Sequence, residues 1–162
     1  MDEDKLKKEM ALVYLDRGDK VYTKREMGKA LRLYKQSIAT YPTAEAYTAL
    51  GRVYGSMGRR DDAVAMCHQA IKTNPELGAA YNDIGVYLME VEKWREAIPW
   101  LEKAIQSANY DTPEHTHVNL GRSYANLGDW QSAIAYYNQA HAIAPLYLPA
   151  SWRKYKLLGR LN

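Results

Sequence analysis

Two histidines, with an aspartate and a glutamate beside them, form the part of this sequence that comes nearest to a metal site: His115, His117, Asp111 and Glu114. Imidazole and carboxylate groups are zinc ligands, but on a helix they must share one face to bind one ion. Residues two apart on a helix point about 200° apart, so the two imidazoles cannot easily meet at one ion. We therefore predict a structural role for both histidines, with no metal and no other cofactor.

Other reactive groups also have a simpler interpretation. The only cysteine, Cys67, lies in an apolar helical register where no basic partner is required, so we predict a buried, inert thiol. The glycines recur at a repeat spacing, which explains them without a phosphate-binding loop. Four tryptophans are of a type that stacks on nucleobases, but most occupy helical core positions, which favours packing. We predict neither an enzyme nor a nucleic-acid-binding protein.

Composition restricts the class of protein further. The chain has 162 residues, of which 47% are hydrophobic, and a net charge of +3. This is enough apolar surface for one domain, and too little charge for a dedicated nucleic-acid binder. The single thiol suits a reducing compartment, and the charged start, MDEDKLKKEM, resembles neither a signal peptide nor a membrane span. We therefore expect a cytoplasmic location.

An internal repeat organises the sequence. Four segments align without gaps, and their first glycines are spaced by 33, 34 and 36 residues. These glycines are Gly18, Gly51, Gly85 and Gly121. Twelve residues after each glycine stands an alanine: Ala30, Ala63, Ala97 and Ala133. A fixed period of this length is typical of arrays in which each repeat is one supersecondary unit.

Each repeat contains two stretches with helical spacing. Tyr47, Leu50 and Tyr54 recur at i, i+3 and i+7, and the pattern is interrupted at Gly58 before it resumes at Ala63. No segment alternates with the period of a strand. The pattern predicts an all-α fold of antiparallel helix pairs.

The glycines are predicted to serve that pairing. Two helices approach closely only if small residues face each other, and we expect Gly51 and Ala63 to do so. Gly58 lies in the turn, where glycine adopts a left-handed backbone at low cost.

Two prolines help to place helix starts. Thr112 and Pro113 predict an N-cap followed by a first helical residue. Pro99 is expected near the first turn of a helix that begins between Trp94 and Glu96, where a missing N–H removes little.

The motif from Tyr47 to Pro75, Y-x2-L-G-x2-Y followed by G, A and P, resembles the tetratricopeptide repeat. The fourth segment matches this pattern almost throughout, whereas the first departs at Arg17 and Arg25. The resemblance implies a right-handed superhelical α-solenoid of antiparallel helix pairs with a C-terminal capping helix. It predicts a single domain over 1–162 with repeats at about 11–43, 44–77, 78–113 and 114–147 and a capping helix at 148–160.

The resemblance also implies a concave groove, lined by the first helix of each pair, that binds a peptide segment or a partner helix. Asn side chains can bracket a peptide amide, and Arg can bind a carboxylate through two hydrogen bonds. By register, the predicted groove residues are Asp19, Tyr22, Thr48, Arg52, Asn82, Asp83, Val86, Asn119, Arg122, Trp152 and Arg153.

Some repeats of this kind bind the C-terminal carboxylate of chaperones through a clamp of Lys, Asn and Arg. The corresponding slots here hold Leu15, Asp19, Ala49, Ala79 and Asp83, so that clamp is missing and another ligand is expected. The YNDIGVYL opening and the NYDTPEH link are similar to pilotin-type proteins of type IV pilus assembly.

Two functional hypotheses result. The first is a non-catalytic scaffold or adaptor that binds a protein or peptide partner in the groove. The alternative is a structural or engineered repeat module that forms homo-oligomers through its terminal repeats, a hypothesis prompted by the absence of Phe beside 14 Tyr.

Overall fold

The computed structural model describes residues 2–161, and this part of the chain is helical with no β-strand. The all-α prediction is therefore confirmed. The nine helices within these residues are α1 (Glu3–Thr23), α2 (Met27–Thr40), α3 (Ala44–Ser56), α4 (Arg60–Thr73), α5 (Gly78–Glu90), α6 (Trp94–Gln106), α7 (Pro113–Asn126), α8 (Trp130–Ile143) and α9 (Leu148–Leu161). No helix within the described range has the length and apolar composition of a membrane span.

The helices are arranged in antiparallel pairs. Three residues join α1 to α2, α3 to α4, α5 to α6 and α7 to α8, and helices joined by so short a turn run in opposite directions. α9 packs on both α8 and α7, as a capping helix does. The contacts divide the chain into two compact units, one that ends at Asp83 and one that begins at Ile84.

The middle residue of every three-residue turn has a left-handed backbone. Its φ is 76° at Gly58 and 83° at Gly128, but also 61° at Arg25 and 60° at Glu92. The N–H of the next residue then returns to a carbonyl five positions earlier, as in the 2.9 Å bond from Arg59 to Tyr54. The prediction for Gly58 is confirmed, and two of the four turns adopt the same geometry without glycine.

The repeated glycines make room for a side chain sixteen residues later. A Cβ added to Gly121 would lie 2.6 Å from Cδ1 of Tyr137, and one added to Gly85 would lie 2.5 Å from Cδ2 of Leu101. Gly18 faces Tyr34 in the same way. These distances are shorter than van der Waals contact, so a methyl group at the glycine would overlap the ring or the leucine.

The second repeat differs, because Cys67 occupies the position of the large side chain. A Cβ on Gly51 would lie 3.2 Å from the carbonyl oxygen of Ala63 and 3.6 Å from Sγ of Cys67. The predicted approach of Gly51 to Ala63 is confirmed here.

The structure corrects one proline prediction and confirms two helix starts. α6 begins at Trp94, as expected, but Pro99 is its sixth residue. The first intrahelical bond already joins the N–H of Ala97 to Lys93, so Pro99 leaves the carbonyl of Arg95 without its usual helical donor. The prediction that Pro99 lies where it removes little is therefore wrong.

The helix after Thr112 begins at Pro113, as predicted, although the Thr112 side chain forms no cap hydrogen bond. A threonine does cap α3, where the Thr43 hydroxyl accepts from the N–H of Ala46 at 3.2 Å.

The first helix is longer than the repeat pattern indicates. α1 begins at Glu3, eight residues before the predicted start of the first repeat, and the Asp2 side chain accepts from the N–H of Asp4. This extension leaves Leu6 and Met10 exposed, and Val13, also exposed, continues the same helix face at i+7.

Candidate binding surfaces

In the first unit, three predicted groove residues lie at one cavity. Asp19, Thr48 and Arg52 line a space of about 170 Å³ between α1, α3 and the start of α5. Leu15 and Ala49 add apolar surface to the same cavity. The cavity is thus lined by both apolar and charged side chains.

The polar groups on this face already have partners within the protein. Asp19 accepts a 2.7 Å hydrogen bond from the hydroxyl of Tyr34, and Tyr22 and Ser56 share a 3.1 Å bond between their hydroxyls. Thr48 is buried and its hydroxyl donates to the carbonyl of Ala44 at 2.8 Å. A ligand would therefore meet oriented groups and not freely rotating ones.

An ion pair joins α3 to α5. Nε of Arg52 donates to Oδ2 of Asp83 at 2.8 Å, and the side chains are 48% and 11% exposed respectively. Burial raises the pKa of Asp83, while Arg52 and the amide of Asn82 act against that rise. Arg52 is therefore half exposed toward solvent but anchored by a buried carboxylate.

In the second unit, a cluster of cations surrounds a cavity of about 210 Å³ between α7 and α9. Arg122 and Arg153 were predicted from register, and the structure adds Lys156 and Arg160 to the same cavity. Nη1 of Arg122 also donates to Oδ1 of Asn119 at 3.4 Å. The sequence shows that the last helix is rich in cations, but it does not show that they meet Arg122, because that depends on how α9 packs against α7.

Val86 and Trp152 are predicted groove residues that line neither of these cavities. Val86 is half-buried on α5. Trp152 is 56% exposed, and its ring lies under two cations, with Nζ of Lys156 at 4.8 Å and the guanidinium carbon of Arg153 at 5.8 Å from its centroid. An exposed indole of this kind provides an apolar contact beside the cationic cavity.

The histidines considered for metal binding and the cysteine considered for catalysis already have contacts within the protein. Nδ1 of His117 lies 2.7 Å from the carbonyl oxygen of Pro113, whereas the His115 ring lies 4.7 Å from that of Tyr147. Among residues 2–161 there is no group of three or more His, Cys, Asp or Glu able to hold a metal ion. Cys67 is fully buried, and burial raises the pKa of its thiol to about 12.

Comparison with known families identifies the repeat. Two family models, both described as tetratricopeptide repeat, match residues 43–74 and 76–145, which together make more than half of the chain. Small glutamine-rich tetratricopeptide repeat-containing protein 2 of Mycosarcoma maydis is 26% identical over 106 residues, 65% of this chain. Anaphase-promoting complex subunit 6 of Arabidopsis thaliana is 28% identical over 127 residues, 76% of this chain. The chain spans only 29% and 23% of these two relatives.

Solved structures show the same fold. Pseudomonas aeruginosa PilF superimposes with a TM-score of 0.89 at 19% identity, over 95% of this chain and 70% of that one. PilW, a type IV pilus biogenesis factor, gives 0.80 at 20% identity over 87% and 65% of the two chains. MamA gives 0.71 at 26% identity over 93% and 84%. The resemblance to pilus-assembly proteins is thus confirmed at the level of the fold.

Proposed function

Because this chain belongs to the tetratricopeptide-repeat family, we propose that it is a non-catalytic adaptor that binds a peptide segment or partner helix. The proposed binding surface is the face that carries the predicted groove residues on the first helix of each pair, α1, α3, α5 and α7, and it is called the inner face below. One observation carries the proposal. The cavity of the first unit brings Leu15 and Ala49 together with Asp19 and Arg52. Peptide recognition requires such a combination, in which apolar pockets hold side chains and oriented polar groups hold the backbone.

The same cavity argues against a chaperone-type carboxylate ligand in the first unit. Leu15, Ala49 and Ala79 occupy slots where the clamp would carry cations or amides, and all three line the cavity. The single cation there, Arg52, is already paired with Asp83. A neutral or apolar stretch of the partner suits this cavity better than a terminal carboxylate.

A pull-down from a lysate of the source organism tests the proposal. Wild type is compared with Ala49→Arg, which fills the first cavity, and with Asn119→Ala/Arg122→Ala in the second unit. We expect a specific partner to be lost from at least one variant, with affinity reduced by roughly 2 kcal/mol or more. Thermal unfolding of both variants should stay near wild type.

A control pair on the second helix of a repeat, Gln69→Ala/Lys72→Ala, should retain the partner. If both inner-face variants bind every captured protein as well as wild type does, the inner faces are not the binding surface.

Self-assembly is a second candidate function, favoured by apolar side chains on both terminal helices. Leu6, Met10 and Val13 are exposed on α1, and Leu148 and Tyr155 are 73% and 68% exposed on α9. Light scattering across a concentration series tests this candidate. A strict monomer at the highest concentration would exclude it, whereas an oligomer that Val13→Lys or Leu148→Lys dissociates would support it.

A further inference from the structure

We propose that Arg122, Arg153, Lys156 and Arg160 form a binding site for an acidic segment of a protein partner, whose side-chain carboxylates enter the cavity between α7 and α9. The inference rests on the proposed function, because it specifies the chemistry of the bound peptide.

No carboxylate within residues 2–161 pairs with the four cations that meet at this cavity. None of them forms an ion pair within the described part of the chain. A larger cavity between α1 and α2, of about 440 Å³, is also lined by Arg17, Lys20, Lys29 and Arg32. There, however, Asp16 and Glu26 pair with the two lysines.

A comparison of equivalent positions in the repeats shows which carboxylate is missing from this cavity. Arg52 binds Asp83, thirty-one residues later on the next first helix. Thirty-one residues after Arg122 comes Arg153. α9 continues the register of the first helices α3, α5 and α7. Their fully buried residues Ala46, Ala80 and Thr116 correspond to Ala150, which is also fully buried. The place of the Asp83 carboxylate is therefore taken by a second guanidinium.

This exchange affects the guanidinium groups of both Arg122 and Arg153. Burial and the charge of Arg153 both lower the pKa of Arg122. Nε of Arg153 is buried without a hydrogen-bond partner among the described residues. A buried donor without an acceptor is costly, and it shows that no group of the described chain compensates this guanidinium Nε. A guanidinium can bind a carboxylate through two parallel hydrogen bonds. The cavity of about 210 Å³ is large enough for a carboxylate and part of its hydration.

The shape of the cluster favours an acidic peptide over nucleic acid. A nucleic-acid-binding surface spreads its cations along a stripe that follows the phosphates. Here all four lie around one cavity between two helices, and the net charge of the chain is only +3. The exposed Trp152 ring beside Arg153 and Lys156 offers a contact for an apolar residue next to the acids.

Fluorescence anisotropy with a short labelled oligoglutamate, blocked at both ends, tests the site. The test variant is Lys156→Gln/Arg160→Gln, because both residues are exposed and their loss should not unfold the protein. The matched control is Lys29→Gln/Arg32→Gln, which removes one lysine and one arginine from the other cationic cavity. We expect at least about tenfold weaker binding for the test variant, as for the loss of one or two charged hydrogen bonds. The control should bind within about twofold of wild type.

Three further probes decide between ligand sources. A neutral oligoglutamine with a free C-terminus tests a terminal carboxylate, inorganic phosphate tests a small anion, and phosphatidylserine vesicles test a membrane. The proposal is overturned if wild type does not bind oligoglutamate, if both variants lose equal affinity, or if any of these three binds more tightly than oligoglutamate.

The oligoglutamate test and the lysate pull-down can fail independently of each other. If Asn119→Ala/Arg122→Ala loses a lysate partner but oligoglutamate does not bind wild type, the inner-face function stands and the acidic preference fails. If oligoglutamate binds as expected but both inner-face variants keep every lysate partner, the cationic site stands and the adaptor proposal fails.

Discussion

Replacing Gly121 with alanine should destabilise the protein, although alanine is the better helix former. Alanine gains roughly 0.5 to 1 kcal/mol over glycine inside a helix. Against this, the new Cβ would lie 2.6 Å from Cδ1 and 2.9 Å from Cζ of Tyr137, a residue that is only 3% exposed. Overpacking of a closely packed core costs roughly 1 to 3 kcal/mol. We expect a net loss of about 1 to 2 kcal/mol in the free energy of unfolding.

Gly51→Ala is the matched control, because the corresponding ring is replaced there by Cys67. Its Cβ would lie 3.2 Å from the Ala63 oxygen and 3.4 Å from Cβ of Met66, so the neighbours need move only by a few tenths of an ångström. The gain in helix propensity should offset this shift. We expect a free energy of unfolding within roughly 0.5 kcal/mol of wild type.

Urea unfolding followed by circular dichroism measures both changes, provided that the m-value stays constant. A Tyr137→Cys background gives the second leg of a double-mutant cycle, since it copies the arrangement of Gly51 and Cys67. Gly121→Ala should lose most of its cost in that background. The reasoning is refuted if Gly121→Ala is as stable as Gly51→Ala, or if its cost persists after the ring is removed.

Three other predictions follow from the described contacts. Glycine at Arg25 or Glu92 should stabilise by roughly 0.5 to 1 kcal/mol, because the left-handed backbone strains a residue with a Cβ; destabilisation in urea would contradict this. Arg52→Gln should destabilise more than Asp83→Asn, because it leaves a buried carboxylate unpaired. Its deficit should grow as pH rises from about 4 to 7, since an acid whose folded pKa is raised favours the folded state only while protonated; a shrinking deficit would refute the burial argument. Native Cys67 should react with Ellman's reagent at about pH 8 far more slowly than unfolded protein, because its pKa of about 12 leaves almost no thiolate; equal rates would show an accessible thiol.

The sequence predicted the helix pairs well because their determinants are local and periodic. The repeated glycine register and the apolar spacing from Tyr47 to Tyr54 were sufficient to predict the second repeat. It did not predict that α1 begins at Glu3, because Leu6 and Met10 stand among charged residues and lie before the repeat register. Its first turns have instead a local ion pair at 2.6 Å between Lys7 and Glu3. Pro99 was expected near the first turn because proline is well tolerated there, but α6 begins at Trp94 and Pro99 lies in its second turn.

The candidate site was harder to predict from the sequence than the fold was. Register predicted which residues lie on the first helices, but it does not show which side chains bond to each other. Asp83 was predicted as a groove residue, and the structure places it largely buried against Arg52. The separation of thirty-one residues was present in the sequence as a signal for both Arg52 with Asp83 and Arg122 with Arg153. The roles of the groove residues in binding stay predictions.

The contact between each repeated glycine and the side chain sixteen residues later has a consequence for how such arrays change during evolution and in design. Both members of the contact lie within one helix pair, so duplicating or transplanting a whole pair carries the large side chain together with the space it needs. Chimaeras joined at the connections near Thr43, Leu77 or Thr112 should therefore keep each pair compatible. Those spliced through the turns at Gly58 or Gly128 would separate the two partners and bring unmatched halves together.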